Sequence, residues 1–146
     1  MTNSLIGPES ISVVERVENF SRAITVSAEL LVAGGHAAPS YVTRVLENYQ
    51  KLGPYFVVAP HIAIAHAAPS ADVFSPGLSL LKLNHEVDSG DSAGSPVSLV
   101  FSLCTPDRDQ HIELLGDFAA LMSREGIVNS LLKASAESVI REILES

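Results

Sequence analysis

Apolar residues recur along this chain at two different periods, and the change from one to the other divides it into segments. In "NFSRAITVSAELLVAGG", Phe20, Ile24, Ser27 and Leu31 fall at 4-3-4 spacing. That is the stripe of a helix, with Asn19 as its cap and Gly34-Gly35 as its end. "APSYVTRVLENYQKLG" predicts a second helix: Pro39 and Ser40 open it, Val42, Val45, Leu46 and Tyr49 share a face, and Gly53-Pro54 stop it. Ahead of both, "ISVVERV" reads as a short strand.

The middle of the chain changes character. "YFVVAP" and "HIAIA" are short β-branched runs with turn or charged residues at their borders, and both predict strands. "GLSLLKLNHEV" alternates around Leu78, Leu80 and Leu83, a further strand. The polar segment "DSGDSAGS", residues 88–95, reads as a loop, and "PVSLVFSLC" as a strand buried on both faces. From Thr105 the helical period returns. In "TPDRDQHIELLGDFAALMS" Pro106 lies near the first helical position, and Ile112, Leu115, Phe118 and Met122 form a stripe. "EGIVNSLLKA" and "AESVIREILES" complete three C-terminal helices, packed by Ile127, Leu131, Val139, Ile143 and Leu144. Helices on either side of a group of strands predict an α/β layered domain with a mixed central β-sheet flanked by helices. A length of 146 residues suits one such domain, 1–146.

Composition narrows the function classes. The chain is 47% hydrophobic but only 5% aromatic, with no Trp, so its core is aliphatic. A net charge of −8, with nine Lys+Arg scattered singly, argues against nucleic acid, which demands clustered cations. It argues equally against an anionic membrane surface. The single cysteine, Cys104, forms no internal disulfide, suits a reducing cytosol and reads as a small buried hydrophobe. The N-terminus lacks a signal peptide's basic flank, and no apolar run reaches the roughly 20 residues of a membrane span. A cytoplasmic protein without direct membrane insertion is expected.

The candidate chemistry lies in five histidines. His61 and His66 bracket "HIAIA" and read either as core residues with hydrogen bonds or as a reactive nitrogen held up on purpose. His66 ends its strand ahead of "AAPSAD", the position where α/β folds place chemistry, and a neutral imidazole is a nucleophile at physiological pH. His111 lies in the first turn or so of a helix. Asp107 suits its N-cap, and Gln110 three residues on completes a capping-box pattern. A helix start offers N–H groups and a positive dipole end to phosphate oxygens, although an exposed, solvated histidine fits the segment equally. His36 and His85 read as surface residues. His61, His66 and His111 as zinc ligands would leave a catalytic position open, but no Cys pair, H-E-x-x-H or close carboxylate supports them. Nucleophile-elbow and nucleotide-loop motifs are missing from the sequence, so a cofactor is not expected.

The ordered set "GPYFVVAPHIAIAHAAP", "GLSLLKLNHEV" and "PVSLVFSLCTPDRDQHIELL" resembles the IIA domain of the phosphoenolpyruvate-dependent sugar phosphotransferase system, mannitol/fructose type, and is closest to its ascorbate-like branch. The resemblance runs from about Ile11 to the C-terminus. It implies an α/β domain with a mixed sheet and a phosphoryl group taken from the phosphocarrier HPr. The group goes onto the histidine of an "I-A-L-P-H-A" motif, then to a cysteine of a IIB component. The matching positions are His66 in "IAIAHA" as acceptor and His111 as the supporting histidine. Neither cofactor nor metal is implied. Sugar choice belongs to the membrane component. An aliphatic surface patch would serve either a homodimer or a transient docking partner.

The chain departs from that pattern. Ala65 stands at the motif's proline, His61 at its glycine, Ala68 at an arginine two residues past the acceptor, and Asn48 at an arginine on the second helix. Two expected guanidiniums are therefore replaced. Arg44, one turn before Asn48, and Arg108, three residues before His111, are the candidates to supply the charge. His61 and Asn48 belong to the same candidate phosphate environment. The alternative is a non-catalytic regulatory or protein-binding module on the same fold.

Overall fold

The computed structural model describes residues 6–52, 56–90 and 95–145. Among them the elements run β1 (Ile11–Val14), α1 (Phe20–Ala33), α2 (Pro39–Leu52), β2 (Val57–Ala59), β3 (His61–Ala65), β4 (Gly77–Asp88), β5 (Pro96–Cys104), α3 (Arg108–Met122), α4 (Ile127–Lys133) and α5 (Glu137–Glu145). The proposed stop at Gly53-Pro54 and part of the 88–95 loop lie outside the described residues.

The strands form one sheet in the order β1-β4-β5-β3-β2. β1 is parallel to β4, β3 is parallel to β5, and the β4–β5 and β2–β3 pairs are antiparallel. Helices α1 and α2 cover one face and α3 to α5 the other, giving two apolar layers. The expected mixed sheet between helices is thus the observed one.

Local chemistry accounts for each element's limits. The Asn19 side chain accepts from Arg22 N at 2.8 Å to start α1, and Gly35 takes the left-handed φ of 80° that ends it. The predicted α1 stripe is buried as a whole, Ser27 included. Its hydroxyl donates to the Val100 carbonyl at 2.8 Å, which leaves Ser102 Oγ as donor across the 2.8 Å contact to Ser27 Oγ. Small residues let the helix lie close on β5, and these bonds satisfy the polar atoms so enclosed.

Three packing expectations change. Leu78 and Leu80 face α3–α5, whereas Leu81 and Leu83 face α1–α2, so the stripe predicted around Leu78, Leu80 and Leu83 does not share a face. Helices on both sides make β4 apolar on both, and the alternation loses its meaning. On α3 the buried residues are Leu114, Phe118 and Leu121, while Ile112 is 60% exposed and Leu115 38%. On α5 Ile140 and Leu144 are buried, and Val139 is exposed. Each helix has more apolar positions than the sheet can cover, and docking selects among them.

Lys82 is a buried exception inside the α3–α5 layer. Its Nζ donates to the Ala134 carbonyl at 2.7 Å, at the C-terminal end of α4 where the helix dipole favours a cation.

The pairing of β3 with β5 decides where chemistry can sit. Both run in one direction with Ala65 opposite Ser102, so the residues following each strand emerge at the same sheet edge. His66 leaves β3 there, and α3 starts just beyond the end of β5.

Candidate active site at the ends of β3 and β5

An open cleft of about 650 Å³ lies at that edge, lined by Asn48, His66, Pro69, Pro106, Arg108 and His111 among others. The His66 and His111 rings meet with centroids 5.8 Å apart. Forty-five residues of sequence separate them, and the parallel strand pair closes the gap.

His66 is half-buried, with Phe56 on its inner side at 5.5 Å between ring centroids. Its Nδ1 lies 3.4 Å from the Ile64 carbonyl oxygen. A carbonyl can only accept, so the proton sits on Nδ1 and Nε2 keeps its lone pair. Burial holds the His66 pKa below the usual histidine value; the Ile64 bond raises it somewhat and the charge of His111 lowers it. The ring is therefore neutral and nucleophilic over a wider pH range than a free imidazole.

His111 is half-buried, and its Nδ1 lies 3.4 Å from the hydroxyl of Thr105, itself buried at the end of β5. Asp107 caps α3 as expected, accepting from Gln110 N at 2.9 Å. Gln110 Nε2 also donates to the same carboxylate at 2.6 Å, whereas in a capping box the Gln side-chain oxygen accepts from the cap's own N–H. Pro106 lies ahead of the cap and not inside the helix. The helix start that was to offer N–H groups to an anion is thus partly occupied by its own carboxylate.

The cations behave differently from one another. Arg44 Nε donates to Asp72 Oδ2 at 2.9 Å, a second bond from Nη2 reaches Asp72 Oδ1, and Nη1 donates to the Ala68 carbonyl at 2.8 Å. A guanidinium held this way is a structural strap, so the expectation that Arg44 faces the phosphate is corrected. The Arg44 bonds in turn hold the Asp72 carboxyl below its usual pKa. Arg108 is the first residue of α3, is exposed, and lines the cleft. Asn48 also lines the cleft, but its Nδ2 donates to the His66 carbonyl at 3.1 Å.

His61 does not belong to the site. It opens β3 while His66 follows its end, a separation of roughly 17 Å at about 3.3 Å per residue. Its ring instead lies 3.8 Å from the Glu86 carboxylate. The imagined zinc trio is therefore not assembled, and no His, Cys, Asp or Glu cluster that could hold a metal occurs among the described residues. The structure explains why a glycine suits position 61: His61 has φ of 71°, the left-handed region that a Cβ disfavours. His61→Gly is expected to stabilise the fold by about 1 kcal/mol, read as a raised urea midpoint. An unchanged or lower midpoint would remove the strain argument.

His85 is exposed beside Glu15, as expected of a surface residue. His36 is not one. It is half-buried, meets Ser75 Oγ at 2.9 Å through Nδ1, and packs so closely on Gly77 that a Cβ there would lie 2.5 Å from its Cγ. Burial lowers the His36 pKa despite an opposing pull from Glu9. For both His36 and His66 the unfolded chain binds protons that the folded one resists. Stability is then expected to rise with pH up to the ordinary histidine value of 6.5 and to lose this slope above it. Denaturant midpoints measured on either side of pH 6.5 test the sign, and His36→Gln should flatten the slope.

Tyr41, Asp72 and Thr105 are functional neighbours that sequence reasoning did not single out. Tyr41 does share a helical face with Arg44 and Asn48, which was the available signal. Cys104 is buried, with its thiol pushed up to about 12 chiefly by burial, and takes no part in the cleft.

Two half-buried imidazoles meet across an open cleft on a mixed sheet between helices, and comparison with known proteins says which class of protein carries them. The model of the family "Phosphoenolpyruvate-dependent sugar phosphotransferase system, EIIA 2" matches residues 4–146. The chain is 30% identical over 138 residues to a mannitol-specific cryptic phosphotransferase enzyme IIA component of Escherichia coli, covering 94% of this chain and 93% of that one. A solution structure of the mannitol-specific cryptic IIA from Escherichia coli superposes with a TM-score of 0.87 at 29% identity, over 99% of this chain and 98% of the other. An ascorbate-specific EIIA component of Escherichia coli is 29% identical over 114 residues, 78% of this chain and 74% of its own. The fold also matches the Escherichia coli mannitol IIA, seen in complex with phosphorylated mannitol IIB, with a TM-score of 0.81 at 22% identity over 97% and 99% of the two chains. The chain belongs to the EIIA 2 family: it is a IIA component of a sugar phosphotransferase system.

Proposed function

We propose that the chain works as a single IIA domain in which His66 Nε2 accepts a phosphoryl group and hands it on. The observation that carries this reading is the His66 ring itself: Nδ1 faces the Ile64 carbonyl, and the second imidazole, His111, stands 5.8 Å away across an open cleft. In the step, the Nε2 lone pair attacks phosphorus in line, and the bond from phosphorus to the donor's leaving atom breaks with its electron pair. The mirror step transfers the group to a thiolate, and the pair returns to Nε2. Such transfer relies on positioning and charge more than on covalent help.

Arg108 is the cation facing the transferred group, because Arg44 is engaged with Asp72. His111 supports the phosphoryl oxygens from the other wall. The donor is HPr and the acceptor a cysteine of a IIB component; the IIB complex of the mannitol relative supports the second partner. The protein thus acts as a transferase. Among the described residues no helix is long and apolar enough to cross a membrane, which accords with work in the cytoplasm.

Incubation with phosphoenolpyruvate, enzyme I and HPr, followed by mass spectrometry, tests the reading. One acid-labile phosphoryl group on His66, lost again on addition of the cognate IIB, is expected. Arg108→Ala should slow its arrival. A protein that stays unphosphorylated while its circular dichroism is intact would move the reading to a regulatory module.

A further inference from the structure

From the hydrogen bonds around the acceptor we infer that one face of α2, made of Tyr41, Arg44 and Asn48, is a clamp that positions His66 for transfer. The inference rests on the acceptor reading of His66 and adds residues to it. These three side chains lie at i, i+3 and i+7, so they project from one side of the helix. They grip three consecutive residues of the segment that leaves β3.

Asn48 Nδ2 donates to the His66 carbonyl at 3.1 Å, and the Ala67 N–H donates to the Tyr41 hydroxyl at 2.9 Å. Arg44 Nη1 donates to the Ala68 carbonyl at 2.8 Å. Asp72 closes the grip further on, taking two bonds from the Arg44 guanidinium and one from Ser40 Oγ at 3.0 Å. From His66 to Ser70 the chain has neither helix nor strand, so it has no ladder of its own to fix it. The α2 side chains stand in for that ladder.

Tyr41 does more than hold one residue. Its hydroxyl donates to the Leu103 carbonyl at 2.6 Å while accepting from Ala67 N. Leu103 lies near the end of β5, two residues before Thr105, whose hydroxyl meets His111. One fully buried oxygen therefore joins the segment carrying His66 to the segment carrying His111. It sets the spacing of the two imidazoles. The Arg44 guanidinium lies 5.1 Å from the Tyr41 ring centroid and keeps the phenol from rotating away. This also gives the asparagine at position 48 a role: it holds the acceptor by its backbone and leaves the charge to another residue.

The experiment compares Tyr41→Phe and Asn48→Ala with the parent protein and with His66→Gln. Rates of phosphorylation by phospho-HPr are measured across pH, and long-range 1H–15N spectra report the His66 tautomer. Each clamp variant is expected to lose roughly ten- to a hundred-fold in rate, the scale of a displacement near 1 Å, with KM for phospho-HPr unchanged. Its His66 should become a mixture of Nδ1–H and Nε2–H forms. Tyr41→Phe removes two buried hydrogen bonds; should it fail to fold, Asn48→Ala at the cleft wall decides alone. Parent rates and a single tautomer in the folded variants, with His66→Gln inactive, would overturn the clamp by itself. Phosphorylation surviving in His66→Gln would instead overturn the acceptor reading beneath it.

Discussion

His66→Gln is expected to lose phosphorylation entirely, while its far-ultraviolet circular dichroism and denaturation midpoint at neutral pH stay near those of the parent. Glutamine can keep the half-buried volume and a polar contact toward the Ile64 carbonyl. It has no basic nitrogen lone pair, so no nitrogen–phosphorus bond can form. His111 is not expected to replace it: its Nδ1 faces the Thr105 hydroxyl on the other wall of the cleft. His111→Ala is expected to keep the nucleophile and lose about a hundred-fold in rate, the usual scale for one electrostatic partner of a transition state. Intact-mass spectra at a series of times separate the two: no added phosphoryl at any time for His66→Gln, a slow gain for His111→Ala. The reverse ranking would exchange the roles assigned to the two rings. A full gain in both would place the acceptor elsewhere.

The largest loss of stability is expected at Phe101. Its ring is fully buried in β5, between β4 and β3, where it pairs with Leu80 and Ile64. It meets Phe118 of α3 edge to face, with centroids 4.9 Å apart and planes at 74°. Phe101→Ala removes that contact and leaves a cavity that a central strand cannot collapse to fill, at a cost of about 3–5 kcal/mol. Typical domains hold only ~5–15 kcal/mol in total, so this one change takes a large share. Ile112→Ala serves as the contrast. Ile112 belongs to the stripe expected from sequence yet is 60% exposed, so its replacement should shift stability by no more than about 0.5 kcal/mol. Urea denaturation of both variants checks the pair. Equal losses would mean that α3 docks by the sequence stripe and not by Leu114, Phe118 and Leu121.

Much of this protein was legible in its residue pattern, and some elements show why. Asn19, Gly35 and Asp107 act within one turn of themselves, so the ends of α1 and the start of α3 follow from local chemistry. The apolar run "PVSLVFSLC" announced a strand covered on both sides, and β5 is buried from Val97 to Cys104. His66 and His111 were legible only as members of a motif set. Local pattern marked only their places, His66 at a strand's end and His111 near a helix start.

The rest depended on contacts between segments far apart in sequence. Which apolar residues of α3 and α5 face inward was decided by docking on a sheet of finite width. The fate of Arg44 was decided by Asp72, 28 residues on, and that of His61 by the direction of β3, which carries the two ends of "HIAIA" away from each other. The clamp on His66 needs Tyr41, Ala67 and Leu103 to meet at one oxygen. Sequence by itself determined the elements and their caps, because periodicity and capping act over a few residues. Tertiary structure alone decided that Asp72 holds Arg44, that His61 takes a left-handed φ and what grips the residues leaving β3, because hydrogen bonds form between groups that folding brings within 3 Å or so of one another.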